Sequence, residues 1–175
     1  MSQMQNRAVL MSGHELLLLL FKREAEGLIL PQEISELGGS EAELKAAMGD
    51  LITDKYLLPG ENGLYRIAPD ISEMLEIMTG ASNTLVLEEL QHKFEPCYLY
   101  RRNLEAVLLN MDVHHEGWIR LETVRLEDKI KELTEFPLAK IQVRRFKMGD
   151  SEPDKVIMIT DGVPLEETLD KLLEV

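Results

Sequence analysis

At 175 residues the chain is long enough to bury a real core but short for two full-sized domains, so two small, closely packed lobes are expected. It carries 19 basic and 32 acidic residues, a formal charge of −13 that opposes phosphate backbones and anionic lipid and favours basic protein partners. The single cysteine, Cys97, excludes an internal disulfide and a cysteine-rich zinc site, and plentiful methionine with sparse aromatics favours adaptable packing.

The N-terminus lacks a basic stretch followed by a long apolar run. Leu16 to Phe21 is too short and charged residues follow at once, so a soluble, cytoplasmic protein without a membrane partner is expected. The first ten residues read as loose. Ser12 with Glu15 three positions on makes a capping box that opens a helix ending near Gly27. Leu28-Ile29-Leu30 reads as a short strand, Pro31 suits the first turn of a second helix, and Gly38-Gly39 supplies its exit. Ser40 and Glu43 form a second capping box, opening a helix whose Leu44, Ala47, Met48, Leu51 and Ile52 make one apolar stripe.

Tyr56-Leu57-Leu58, the turn Pro59 to Gly63, and Leu64 to Ile67 read as a hairpin. Asp70 and Glu73 repeat the capping pattern before a fourth helix that closes near Gly80. In order, spacing and turn chemistry residues 12 to 80 resemble the winged helix-turn-helix domains of bacterial regulators, in which the third helix and the hairpin commonly meet DNA. The charge opposes that use. The first 80 residues hold six cations against thirteen acids, and the outer face of the third helix offers Glu43, Lys45, Ala46, Gly49, Asp50 and Thr53. Lys45, Lys55 and Arg66 are the candidate nucleic-acid contacts under the regulator reading; a protein-binding lobe is the preferred one.

Beyond Gly80 the period becomes strand-like, which divides the chain into 1–80 and 81–175. Thr84 to Leu90, Cys97 to Arg102, Ala106 to Val113 and Trp118 to Val124 read as strands, with His114 to Gly117 as a tight turn. Val107, Leu109, Met111 and Val113 share one face and Asn110 and Asp112 the other, the pattern of a half-buried antiparallel meander. A helix follows with Leu126, Ile130 and Leu133 inward, stopped by Pro137. A hairpin pairs Lys140 to Met148 with Lys155 to Thr160. A bulge near Arg144-Arg145 would keep Ile141, Val143, Phe146 and Met148 on one face. Val156 to Ile159 is apolar on both faces, fitting an interior strand or an interface, and the last helix is to cover one side. The expected class is α+β: a winged-helix lobe followed by an antiparallel β-rich lobe with two covering helices.

Chemical candidates are few. His114-His115-Glu116 could ligate a metal, but adjacent strand-end residues diverge and a solvated turn is the simpler account. Cys97 could be a nucleophile, yet Tyr98, Leu99 and Tyr100 beside it suggest a buried, inert thiol. Phosphate loops, nucleophile elbows and HExxH patterns are missing, so neither enzymatic activity nor a cofactor is expected. Arg144, Arg145 and Lys147, with Arg101 and Arg102, are a basic concentration in an acidic chain. They would hold an acidic partner or a phosphate, or pair across strands with Glu88, Glu89 or Glu122, the latter preferred. Tyr98, Tyr100 and Trp118 are candidate partner anchors or core residues.

The second half, with long strands ending in a polar turn, then Trp118 to Val124, a charged helix stopping at Phe136-Pro137-Leu138, and a further hairpin and helix, resembles the EspG family of type VII secretion chaperones. Ser12-Gly13-His14-Glu15-Leu16-Leu17 is similar in style to that family's opening helix. The resemblance implies a non-enzymatic cytosolic adaptor for a small helical secreted protein, without transferring any binding residue. The competing expectation is a winged-helix regulator, as a homodimer with a less acidic face. A weaker third is a small-ligand sensor with an apolar pocket beside Arg144.

Overall fold

Ser12 serves both elements at the first junction. It closes strand β1 (Ala8–Ser12) and caps helix α1 (Gly13–Lys22): its hydroxyl accepts from the Glu15 amide at 3.2 Å and the Glu15 carboxylate accepts from the Ser12 amide at 3.1 Å. The computed structural model describes residues 8–135, 139–160 and 162–174. Short α2 (Gln32–Ser35) precedes α3 (Glu41–Thr53), where the Ser40 hydroxyl accepts from the Glu43 amide at 3.1 Å. Strands β2 (Leu57–Pro59) and β3 (Tyr65–Ile67) form a small hairpin of their own. Helix α4 (Pro69–Thr79) then starts on a proline, whose missing N–H is no loss in a first turn.

The remaining elements are β4 (Asn83–Glu89), β5 (Cys97–Arg102), β6 (Glu105–Met111), β7 (Trp118–Arg125), α5 (Leu126–Thr134), β8 (Lys140–Lys147), β9 (Lys155–Thr160) and α6 (Leu165–Leu173). Seven strands form one antiparallel sheet in the order β1-β7-β6-β5-β4-β8-β9. The fold is mixed α+β, as expected, and among the described residues no helix is long and apolar enough to cross a membrane.

Strand alternation assigns each residue to one of two cores. Tyr100, Val107, Leu109, Ile119 and Leu121 face the helical half and share one core with Leu16, Leu19, Leu51 and Met74. Leu85, Leu99, Leu108, Ile141 and Val143 face α5 and α6 and pack with Leu126, Ile130 and Leu172. Each such side chain is worth about 1.5–3 kcal/mol of burial, so both faces of the central strands contribute. The two covers are offset. The helical half sits over β5, β6, β7 and β1, leaving Val156 and Met158 of β9 exposed on that face, while on the opposite face Leu10 of β1 is exposed.

Several expectations change. Of the first ten residues, expected to be loose, 1–7 lie outside the described residues and 8–10 are not loose, because β1 pairs with β7 from Ala8↔Glu122 to Ser12↔Trp118 and its Met11 is buried. Leu28 to Leu30 forms no strand, α1 stops at Lys22, and α2 ends before Gly38-Gly39 is reached. Helix α4 is preceded by Ala68 as its cap residue, without the expected Asp70 cap. Strand β6 is not half-buried: Ala106, Val107, Leu108 and Leu109 are all buried, because covers lie on both sides. Val113, expected inward, lies exposed beyond the strand. The bulge in β8 does not exist. Its register with β4 runs unbroken from Asn83↔Lys147 to Glu89↔Ile141, so Phe146 faces the helical half and Arg145 shares the face of Ile141 and Val143. Strand β9 is an edge rather than an interior strand. The Pro137 stop lies outside the described residues.

Candidate functional site

Alternation along β5 and β8 splits the arginines expected to form one basic patch. Arg101 and Arg145 lie on the face of α5 and α6, Arg102 and Arg144 on the face of the helical half. Arg145 is 7% exposed and joins three segments: Nε and Nη2 donate to the two Asp154 carboxylate oxygens at 3.0 and 2.8 Å, and Nη1 donates to the carbonyls of Leu172, at 3.0 Å, and Glu174. It thus satisfies the carbonyl end of α6, where the helix dipole favours a cation, and its side-chain bonds hold the Asp154 carboxyl below its ordinary range. Arg101, also buried, donates to the Asn83 side chain and the Asn103 carbonyl, both at 3.0 Å. Arg102 approaches Glu105 at 3.6 Å. Arg144 approaches Glu88, one of the three carboxylates expected to pair with the cluster, at 3.9 Å, and its guanidinium lies 5.7 Å from the centre of the Phe146 ring.

The aromatic candidates also separate. Tyr100 is fully buried and its hydroxyl donates to the Ile29 carbonyl, tying the segment between α1 and α2 to the sheet. Tyr98 is half-buried on the same face, and Trp118 sits at the start of β7, its ring 5.9 Å from that of His115. His115 Nδ1 is 2.9 Å from an Asp112 carboxylate oxygen, within the exposed turn. The Cys97 thiol is buried, accepts from the Asn110 amide at 3.3 Å, and is pushed up by that burial, an environment that disfavours the thiolate. A pocket of about 250 Å³ opens beside α5, between Leu108, Val124, Glu122, Asp128, Lys129 and Glu132; it is distant in sheet order from Arg144 and its lining is mostly charged.

In the helical half, the most open helix is α3. From Glu41 to Thr53 only Ala47 and Leu51 are buried, and Leu44 and Met48, one turn apart, are each 37% exposed. The expected inward stripe is therefore narrower than its apolar residues. Glu41, Glu43 and Asp50 line the same helix, and Lys45 is engaged by Glu41 at 2.9 Å. Lys55 follows the helix at a positive φ of 63° and Arg66 is exposed on β3. The spacing of Leu44 and Met48 matches the core stripe, which is why they are expected inside; spacing alone does not say how wide a face of α3 is covered. In comparisons with known proteins, neither a family model nor a curated sequence matches the chain.

Proposed function

We propose that the chain is a non-enzymatic protein-binding adaptor, chaperone-like in action, with α3 as its docking face. The observation that carries this reading is the pair Leu44 and Met48, both part-exposed on a helix bordered by Glu41, Glu43 and Asp50. An apolar strip with acidic borders suits an amphipathic partner helix whose apolar stripe has lysine or arginine on its flanks. Methionine adapts to differing partner shapes. The type VII chaperone resemblance would make that partner a small helical secreted protein. DNA fits this face poorly, since Lys45 is already engaged by Glu41 and each neighbouring carboxylate opposes phosphate.

The test is capture of partners from the native cell lysate by the wild-type chain and by the Leu44→Lys, Met48→Lys double variant, beside a titration with duplex DNA. The expected result is a small helical protein held by the wild type and lost by the variant, with unchanged circular dichroism. Equal capture by both chains overturns the assignment of α3. Duplex binding that weakens steeply with salt overturns the adaptor reading in favour of a regulator.

A further inference from the structure

We propose that β9 is the contact surface for a second copy of this chain, the two sheets continuing into one another about a two-fold axis through Ile157. Among the described residues strand β9 ends the sheet, pairing only with β8, and its six residues Lys155 to Thr160 contain neither proline nor glycine. Natural edge strands are protected by proline, bulges, projecting charge or a covering segment. Among the described residues none of these blunts β9: its register with β8 is continuous, and its one charge, Lys155, is drawn back to the Glu174 carboxylate at 2.5 Å. On the face turned away from α6, Val156 and Met158 are 51% and 47% exposed.

The strand itself argues for a second copy as occupant. Directly opposed residues in an antiparallel pair project to the same side of the sheet, so two copies of one strand related by a two-fold axis can pair only in alternate registers. With the axis at Ile157, Val156 of each copy stands opposite Met158 of the other. The two exposed apolar side chains of each edge then become one four-residue cluster. Lys155 falls opposite Ile159, so no like charges are opposed.

Charge also selects this edge for self-contact. The −13 of the chain makes most of its surfaces repel their own copy. Strands β8 and β9 contain five cations and no acid, and Glu88, Asp154 and Glu174 balance Arg144, Arg145 and Lys155. The two strands at this end therefore carry no acid excess of their own, the exposed acids Asp150, Glu152, Glu166, Glu167 and Asp170 lying in the adjoining turn and in α6. Because the helical half covers the opposite end, the dimer would hold two α3 faces apart and available.

The experiment is sedimentation equilibrium of the full chain from micromolar to sub-millimolar concentration, with the Val156→Lys, Met158→Lys double variant beside it. Both substitutions fall on exposed side chains, and circular dichroism checks that the fold survives. A mass of two chains that falls to one in the variant is the expected result. In a second measurement, Ile157→Cys is treated with a short bifunctional thiol reagent, with Leu10→Cys on the other sheet edge as the control. Cross-linked dimer from position 157 and not from position 10 places the contact on β9. A wild-type chain that stays monomeric throughout, a double variant that remains dimeric, or cross-linking from position 10 alone overturns the proposal.

Discussion

Two carboxylates, Glu15 and Asp154, respond oppositely to the fold. Burial of Glu15 is the largest influence on it and raises its carboxyl above the ordinary 4.5, against the lowering effect of the Ser12 bonds; Asp54 and Asp50 raise it further. Its second oxygen, Oε2, is buried without a partner among the described residues. A raised folded value means that the protonated acid is favoured in the fold. The stability it supports is complete below the ordinary carboxylate range and is lost as pH climbs through the folded value. Glu15→Gln, which keeps an acceptor for the Ser12 amide, is therefore expected to melt above the wild type at about pH 7, with the gap closing toward about pH 4. A gap that widens in acid would contradict this. For Asp154 the sign reverses: Arg145 lowers it, so its contribution is present above the ordinary range and fades as pH falls through the folded value. Arg145→Ala leaves that carboxylate and two α6 carbonyls without their donor. Its expected cost is about 3–5 kcal/mol by urea denaturation, with a flatter acid limb than the wild type. Loss under about 1 kcal/mol would mean that water replaces the guanidinium.

Among the elements, those defined by local chemistry were legible and those defined by a distant neighbour were not. Ser12 and Glu15 cap α1 through bonds three residues apart, and Cys97–Arg102 and Lys155–Thr160 begin and end where their residues predict. Leu28-Ile29-Leu30 has strand-like residues, yet its contact with the sheet runs through the Ile29 carbonyl and the Tyr100 hydroxyl. Tyr100→Phe keeps the buried ring and removes that donor, so a loss of about 1–2 kcal/mol is expected, measured by denaturant midpoint. Faster amide exchange in the segment between α1 and α2 should accompany it. Unchanged exchange there would show that the tether is dispensable. A close approach holds the same segment at its other end: Gly27, at φ 75°, lies so near the β8–β9 turn that a Cβ would come within 3.1 Å of the Gly149 Cα.

At the scale of the molecule, the expected division at residue 80 meets a sheet that takes its first strand from one side of it and six from the other. Tyr100, Val107, Leu109, Ile119 and Leu121 share one core with residues of α1, α3 and α4, the last lying against β5, β6 and β7, so each half leaves an apolar face bare without the other. A single cooperative transition is expected, with Trp118 fluorescence reporting the sheet and far-ultraviolet circular dichroism the whole chain at one midpoint. Two separated midpoints would mean that the halves fold independently. The candidate docking face belongs to this scale as well, because Ala47 and Leu51 of α3 are buried while Leu44 and Met48 are left exposed.

Residue order alone was sufficient for the α+β class, the acidic surface, the Ser12 and Ser40 caps and most strand limits, since these follow from composition, period two or 3.6, and bonds between near neighbours. Packing decided the rest. That β1 closes the sheet beside β7, that β6 is buried on both faces, that adjacent arginines part to opposite cores, and that β9 is left as an open edge all depend on contacts between residues far apart in the chain. No local pattern encodes such contacts, because an apolar residue reads the same whether its neighbour is a helix, a strand or a second molecule.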